Sequence, residues 1–187
     1  MVGNDIVDLT EAKKASNWER PRFLNKLFTP KEQHIIHNSE NAFLMVWRLW
    51  SMKEAAYKLY TQQKPRRFYN PQAFECAIKN SKGTVSYKDF CCYTKTKLSS
   101  NYVISEARLQ EREMTSEVVA FDIENTQKQS AILKLKLLEM ISESYELPLF
   151  DLNFRASKFG VPTVTYGGKI INVSLTHHGK YGAFVAV

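Results

Sequence analysis

Trp50-Ser51-Met52-Lys53-Glu54-Ala55-Ala56-Tyr57-Lys58 is the stretch that decides how this chain folds. It lies in a run with strong helix signals, from about Asn41 to Tyr60. Phe43, Met45, Val46, Trp47, Leu49, Trp50 and Met52 make that run apolar nearly all round, which predicts a central buried helix. On a helix, residues three and four apart share a face, so Trp47, Trp50, Glu54 and Lys58 fall along one stripe. A carboxylate and an ammonium therefore interrupt an aromatic stripe, and burying a charge is costly unless something pairs with it or coordinates it. Spacing alone is equally served by an exposed Glu-to-Lys pair worth about 0.2–0.5 kcal/mol. Two distant segments tip the balance: Gly3-Asn4-Asp5-Ile6-Val7 and Val173-Ser174-Leu175-Thr176-His177.

Outward from the helix, Val2 to Leu9 reads as a short strand and Trp18 to Phe28 as a short helix with Pro21 near its start. Thr29-Pro30-Lys31-Glu32 is a helix start, with Thr as N-cap, Pro in the first turn and an acid soon after; that helix runs to about His37. Lys64-Pro65-Arg66-Arg67 breaks the long helix. Phe74–Ile78, Thr84–Thr94, Tyr102–Ala107 and Val118–Ile123 are β-branched or aromatic runs separated by polar turns. Thr126 to Ser144 returns to helix, with Ala131, Leu135, Leu138 and Ile141 near helical spacing. Val161–Tyr166 and Lys169–Thr176 flank Gly167-Gly168, a two-residue hairpin signal, and Tyr181–Val187 is a last strand after the His178-Gly179-Lys180 turn. With no internal repeat, low-complexity tract or linker evident, the expectation is one α+β domain over 1–187: a buried helix against mainly antiparallel strands.

The chain has 187 residues, enough for one domain with a real core. It has no run of about 18 apolar residues, so no membrane-spanning helix is expected. Asp5 and Asp8 sit where a secretory signal needs basic and then apolar residues. Cys76, Cys91 and Cys92 are an odd number without zinc-ligand spacing, so reduced thiols in a cytoplasmic protein are expected. The net charge of +7 favours an acidic partner, with basic clusters at Arg20, Arg22 and Lys26, at Lys64, Arg66 and Arg67, and near Lys95 and Lys97.

Gly3-Asn4-Asp5, Trp50-Ser51-Met52-Lys53-Glu54-Ala55 and Ser174-Leu175-Thr176-His177, in this order, resemble the 4′-phosphopantetheinyl transferase superfamily. Its pattern is G-x-D near a strand end, W/F-x-x-K-E-A/S on a helix, and S-x-S/T-H before a final strand. Arg22 to Glu32 and the ending Tyr181-Gly182-Ala183-Phe184-Val185 look like its holo-acyl-carrier-protein synthase branch. The resemblance covers about 2–60 and 157–187; the strands between carry little specific match. It implies the family fold and transfer of phosphopantetheine from coenzyme A to a carrier-protein serine, with adenosine 3′,5′-bisphosphate released. Asp5 and Glu54 match the ligands of Mg²⁺, a hard cation that prefers oxygen ligands and keeps several waters. Asp5, Glu54 and Lys58 thereby match the catalytic group, and Lys53 and Lys58 match lysines that neighbour the phosphates. Glu54 can remove the serine proton directly or through a metal-bound water. His177 matches a contact to the 3′-phosphate, with Ser174 and Thr176 as hydroxyl donors beside it. Lys158-Phe159-Gly160-Val161-Pro162 is similar to the family's G-K-P turn. Val161 stands where the pattern has a base, and Lys158 is the substitute, beside Gly160 and Pro162. Val7 stands where two-lobed members carry a second acid, which points to water filling the gap.

The metal motifs precede the histidine motif, as in single-lobed members that form trimers with coenzyme A between subunits. A homotrimer with shared sites is therefore expected, unless the extra length lets one chain complete its own cleft. Arg20, Arg22 and Lys26 match a carrier-binding basic helix, so an acidic acyl or peptidyl carrier protein from fatty acid, polyketide or peptide synthesis is the expected partner. Two rivals are a homologue that binds coenzyme A or a carrier without transfer, and a nucleic-acid-binding protein using the basic and aromatic residues from Lys64 to Tyr69. The latter lacks any helix-turn-helix, zinc-finger or RRM signature, so no nucleic acid is expected. His34 and His37 have spacing that permits a metal but no third ligand.

Overall fold

In the computed structural model the run beginning at Asn41 is one helix, α4, Ala42–Gln63; residues 1–65 and 70–187 are described, so Arg66, Arg67 and the aromatics to Tyr69 lie outside them. Asn41 caps α4, its Oδ1 accepting from Leu44 N at 2.9 Å, and Lys64 ends it before Pro65. Val46, Leu49, Met52, Ala55, Ala56 and Leu59 are fully buried. They pack on a five-stranded sheet of β1 (Val2–Asp8), β2 (Glu75–Lys79), β3 (Lys82–Tyr87), β4 (Phe90–Leu98) and β5 (Tyr102–Arg108). The order is β1-β5-β4-β3-β2, with every pair antiparallel. The run Thr84–Thr94 is two strands, not one. Lys88, at φ 51, turns the chain between Tyr87 and Phe90 without the glycine that would have marked a hairpin.

Three short helices fill the stretch between β1 and α4. Leu9–Ala15 (α1), of which the sequence reading assigned only Leu9, as a strand end, starts because Asp8 Oδ1 accepts from Thr10 N and Glu11 N. Phe23–Leu27 (α2) is shorter than the predicted 18–28, since Arg22 at φ 67 leaves the right-handed region after Pro21. Pro30–His37 (α3) matches its prediction and carries a capping box between Thr29 and Glu32.

A second sheet follows, of β6 (Glu117–Ala120), β7 (Asn153–Ala156), β8 (Pro162–Tyr166), β9 (Lys169–His178) and β10 (Tyr181–Ala186), backed by α5 (Thr126–Tyr145). Gly167 and Gly168, both at positive φ, make the expected β8–β9 hairpin. The buried face of α5 is Gln129, Leu133, Leu137 and Ile141 rather than the Ala131–Leu135 side; Leu135 is 52% exposed. The order β6-β10-β9-β8-β7 repeats that of the first sheet: strand, helix, then a four-stranded meander whose last strand returns to the first. Tyr102 and Tyr181, which begin β5 and β10, have ring centroids 5.0 Å apart. The repetition is one of topology, invisible to a search for repeated sequence. Between the sheets, the buried Glu106 carboxylate accepts from Thr115 N at 3.0 Å, Ser116 N at 2.8 Å and Ser116 Oγ at 2.7 Å, which fixes the connecting segment. All three cysteines are free thiols, and no helix among the described residues is long and apolar enough to cross a membrane.

Candidate active site

Gly3 sets the distance between β1 and α4. A Cβ there would stand 2.0 Å from Ala55 O and 2.8 Å from Leu59 N, so only glycine lets the helix cross so near the strand. Asp5, two residues on, faces the same side. Lys58 Nζ donates to Asp5 Oδ1 at 2.9 Å and to Asn4 O at 2.8 Å. Glu54 lies one turn earlier on α4, half-buried. Its carboxyl is pushed up to about 7, first by burial and then by the negative charge of Asp5, with Lys58 pulling the other way. Two carboxylates and one ammonium thus share the crossing of β1 and α4.

The second sheet closes the open edge of β1 with side chains instead of a strand. Asn4 N donates to Ser174 Oγ at 3.0 Å, Ile6 N to Thr176 Oγ1 at 3.4 Å and Asp8 N to His178 Nδ1 at 3.1 Å. The three rungs follow from the two-residue period of β9 meeting that of β1. Gln62 Nε2 spans the same joint, donating to Val2 O at 2.7 Å and Val173 O at 3.0 Å. Thr176 Oγ1 gives its hydrogen to Asp5 Oδ1 at 2.9 Å. Asp8 adds a bond from Lys180 N to Oδ2 at 2.9 Å while capping α1 with Oδ1, which makes it a clasp of the joint.

His177 points to the other side of β9, into a cleft of about 380 Å³ between α4 and α5. Lys58, Ser174, Gly160 and Pro162 line it with His177, and Tyr57, Phe154 and Phe159 supply aromatic walls. Gly160, at φ 79, turns the loop whose hydrogen bonds centre on Ser157. The imidazole of His177 titrates below its usual range, because of burial first and then the charges of Lys58 and His178.

Of the residues expected from sequence, Asp5, Glu54 and Lys58 come together, and Lys58 joins them to the cleft holding His177, Ser174, Gly160 and Pro162. Four do not follow expectation, Ser174 among them, since its Oγ accepts from Asn4 N at the β1 joint on the face opposite His177. Lys53 is turned to the far side of α4, where it is 1% exposed and pairs with Glu32 Oε2 at 2.8 Å. Its Nζ also donates to Pro71 O at 3.0 Å and to Phe74 O, so no phosphate in the cleft can reach it. Thr176 is committed to Asp5 and Ile6. Lys158 lies exposed with its Nζ 5.0 Å from the Phe159 ring centroid, outside the cleft lining. Arg20, Arg22 and Lys26 are exposed around α2. His34 Nδ1 lies 3.2 Å from Asn38 Nδ2, and no group of three potential metal ligands occurs among the described residues. Sequence reasoning passed over Ser130, Lys134 and Phe154, which line the cleft from the second sheet and α5. Only the four-residue spacing of Ser130 and Lys134 pointed to a shared face.

A family model described as the 4′-phosphopantetheinyl transferase superfamily matches residues 1–110. That span holds the whole first sheet, including the middle strands that carried little specific match, with Asp5, Glu54 and Lys58. No curated protein sequence matches the chain. With more than half its length matched, the chain belongs to the 4′-phosphopantetheinyl transferase superfamily.

Proposed function

We propose that this protein transfers the 4′-phosphopantetheine group of coenzyme A to a serine hydroxyl of an apo acyl carrier protein, releasing adenosine 3′,5′-bisphosphate, with Mg²⁺ as cofactor. The observation that carries this reading is the Asp5–Glu54–Lys58 group at one side of a cleft that also holds His177, all within one chain. The donor set suits a hard divalent cation. Two carboxylates are near enough for the charge of Asp5 to push Glu54 up, and among the described residues Lys58 is the ammonium that offsets them. Asp5 and Glu54 would hold the cation, which supplies charge neutralisation at the phosphates when bound.

The remaining roles belong to side chains of this chain. Lys58, anchored on Asp5 and Asn4 O, carries positive charge from the carboxylates to the cleft and meets the pyrophosphate there. Glu54, at the crossing of β1 and α4, would accept the serine proton as the hydroxyl attacks phosphorus. His177 faces the nucleotide end, with Phe154, Phe159 and Pro162 excluding water around the adenine. Arg20, Arg22 and Lys26 offer an acidic carrier a basic surface. Because one chain supplies both sides of the cleft, the reading favours a chain that completes its own site over a trimer with shared sites.

Intact-mass spectrometry of an apo carrier incubated with the protein, coenzyme A and Mg²⁺ tests this. A gain of one phosphopantetheine, lost with EDTA and with Glu54→Gln, is the expected result. Bound coenzyme A with no mass gain on any of several apo carriers would replace transferase with binding-only homologue.

A further inference from the structure

We propose that Lys134 on α5 is a substrate-specificity residue: it pairs with the 3′-phosphate of coenzyme A and sets the preference for the 3′-phosphorylated nucleotide. The inference rests on the coenzyme A reading of the cleft and starts from the shortage of cations that the described residues supply there. Coenzyme A brings a pyrophosphate and a ribose 3′-phosphate. Of the two motif lysines, Lys53 is sealed in the core against Glu32, and Lys58 is committed to Asp5 at the carboxylate side. Lys158 lies outside the lining. Lys134 is in the lining, and no carboxylate among the described residues pairs with it.

Its position selects which phosphate it serves. Lys134 Nζ stands 5.3 Å from the centroid of the Phe154 ring, at the aromatic part of the cleft that suits a purine. Ser130, one turn earlier on α5, lines the same wall and adds a hydroxyl. The pyrophosphate belongs near Lys58, Asp5 and Glu54. The 3′-phosphate hangs from the ribose next to the base, so it falls to the cation beside Phe154, together with His177 across the cleft. A lysine ammonium on a flexible stem suits such a point contact to phosphate.

The test compares coenzyme A with 3′-dephospho-coenzyme A as donors for wild type, Lys134→Ala and Lys134→Arg. Lys134→Ala should raise KM for coenzyme A about tenfold, the loss of one charge-assisted hydrogen bond, with kcat moved far less. KM for the dephospho donor should stay within about twofold, and Lys134→Arg should restore the preference. Calorimetry with adenosine 3′,5′-bisphosphate against adenosine 5′-monophosphate makes the same comparison without turnover. A wild type that binds the bisphosphate more tightly, and a Lys134→Ala that does not, therefore uphold the inference even if no carrier is modified. Equal weakening toward both nucleotides, or no weakening toward either, overturns it. A wild type that modifies carriers with no preference between the two donors overturns it while leaving the transferase reading intact.

Discussion

Replacing Lys53 separates the two roles that its place in the motif allows. The side chains of Lys53 and Glu32 are 1% and 0% exposed and meet at 2.8 Å. Glu32 is saturated from both sides: Thr29 N donates to Oε2 at 2.8 Å and Cys76 N to Oε1 at 2.7 Å. Lys53→Met preserves most of the side-chain volume, so the cost is dominated by a buried carboxylate left without its cation. Removing one partner of a buried pair costs about 3–5 kcal/mol. For a chain of this size that is a fall of about 6–20 °C in Tm. Pairing Lys53→Met with Glu32→Gln removes both charges, and the double variant should be more stable than the sum of the singles by about 1–3 kcal/mol. Urea unfolding followed by circular dichroism reads the stability, and KM for coenzyme A is read on the folded fraction. If the lysine served the phosphates, Lys53→Met would keep its unfolding midpoint and raise KM for coenzyme A instead. That pair of results would refute the structural role.

Three further outcomes follow from the same contacts. Gly3→Ala should destabilise by the upper end of about 1–3 kcal/mol, because the clash is with helix backbone and cannot relax by a rotamer change; a wild-type urea midpoint would contradict the close crossing of β1 and α4. Thr176→Val removes the donor to Asp5 and the acceptor of Ile6 N, and should cost about 1–3 kcal/mol in unfolding free energy; an unchanged midpoint would deny the side-chain joint. His177 titrates below its ordinary value in the free protein, and a phosphate beside it favours the charged form. Binding of adenosine 3′,5′-bisphosphate should therefore take up protons, be strongest below the free-state pKa and weaken as pH rises through the bound-state pKa. Calorimetry in buffers of different ionisation heat measures this, and proton release would show the sign to be wrong.

The sequence made some parts of this protein plain and hid others for identifiable reasons. The capping box at Thr29 and Glu32 and the apolar run of α4 are local signals, and both elements formed where they were read. Leu9–Ala15 was hidden because seven residues give too little periodicity, and the turn at Lys88 because a non-glycine residue adopts positive φ there. Lys53 and Glu54 adjoin in the motif, yet adjacent helical positions point about 100° apart. One therefore reaches the core and the other the carboxylate group. Ser174 and Thr176 are separated from His177 by the same logic, since a strand sends alternate residues to opposite faces. A strand assignment for Val173–His177 already implies that the hydroxyls and the imidazole cannot all serve one ligand from one side.

The repeated topology explains why one chain needs both sheets. Gly182 pairs with His177 one residue after Tyr181, and Val103 pairs with Leu98 one residue after Tyr102. Leu98 thus holds in the first sheet the position that His177 holds in the second, and it has neither charge nor hydrogen-bonding capacity. Glu117, paired with Phe184 three residues after Tyr181 as Asp5 is paired with Ser105 three residues after Tyr102, likewise holds the position of Asp5 in the second sheet, but Glu117 is exposed, whereas Asp5 is buried against Lys58 and Thr176. The first sheet and α4 have the carboxylates without the histidine, and the second sheet has the histidine without the buried aspartate. The Ser174, Thr176 and His178 rungs are what bring the two halves to the same cleft, so the stability of that joint and the competence of the site are one property.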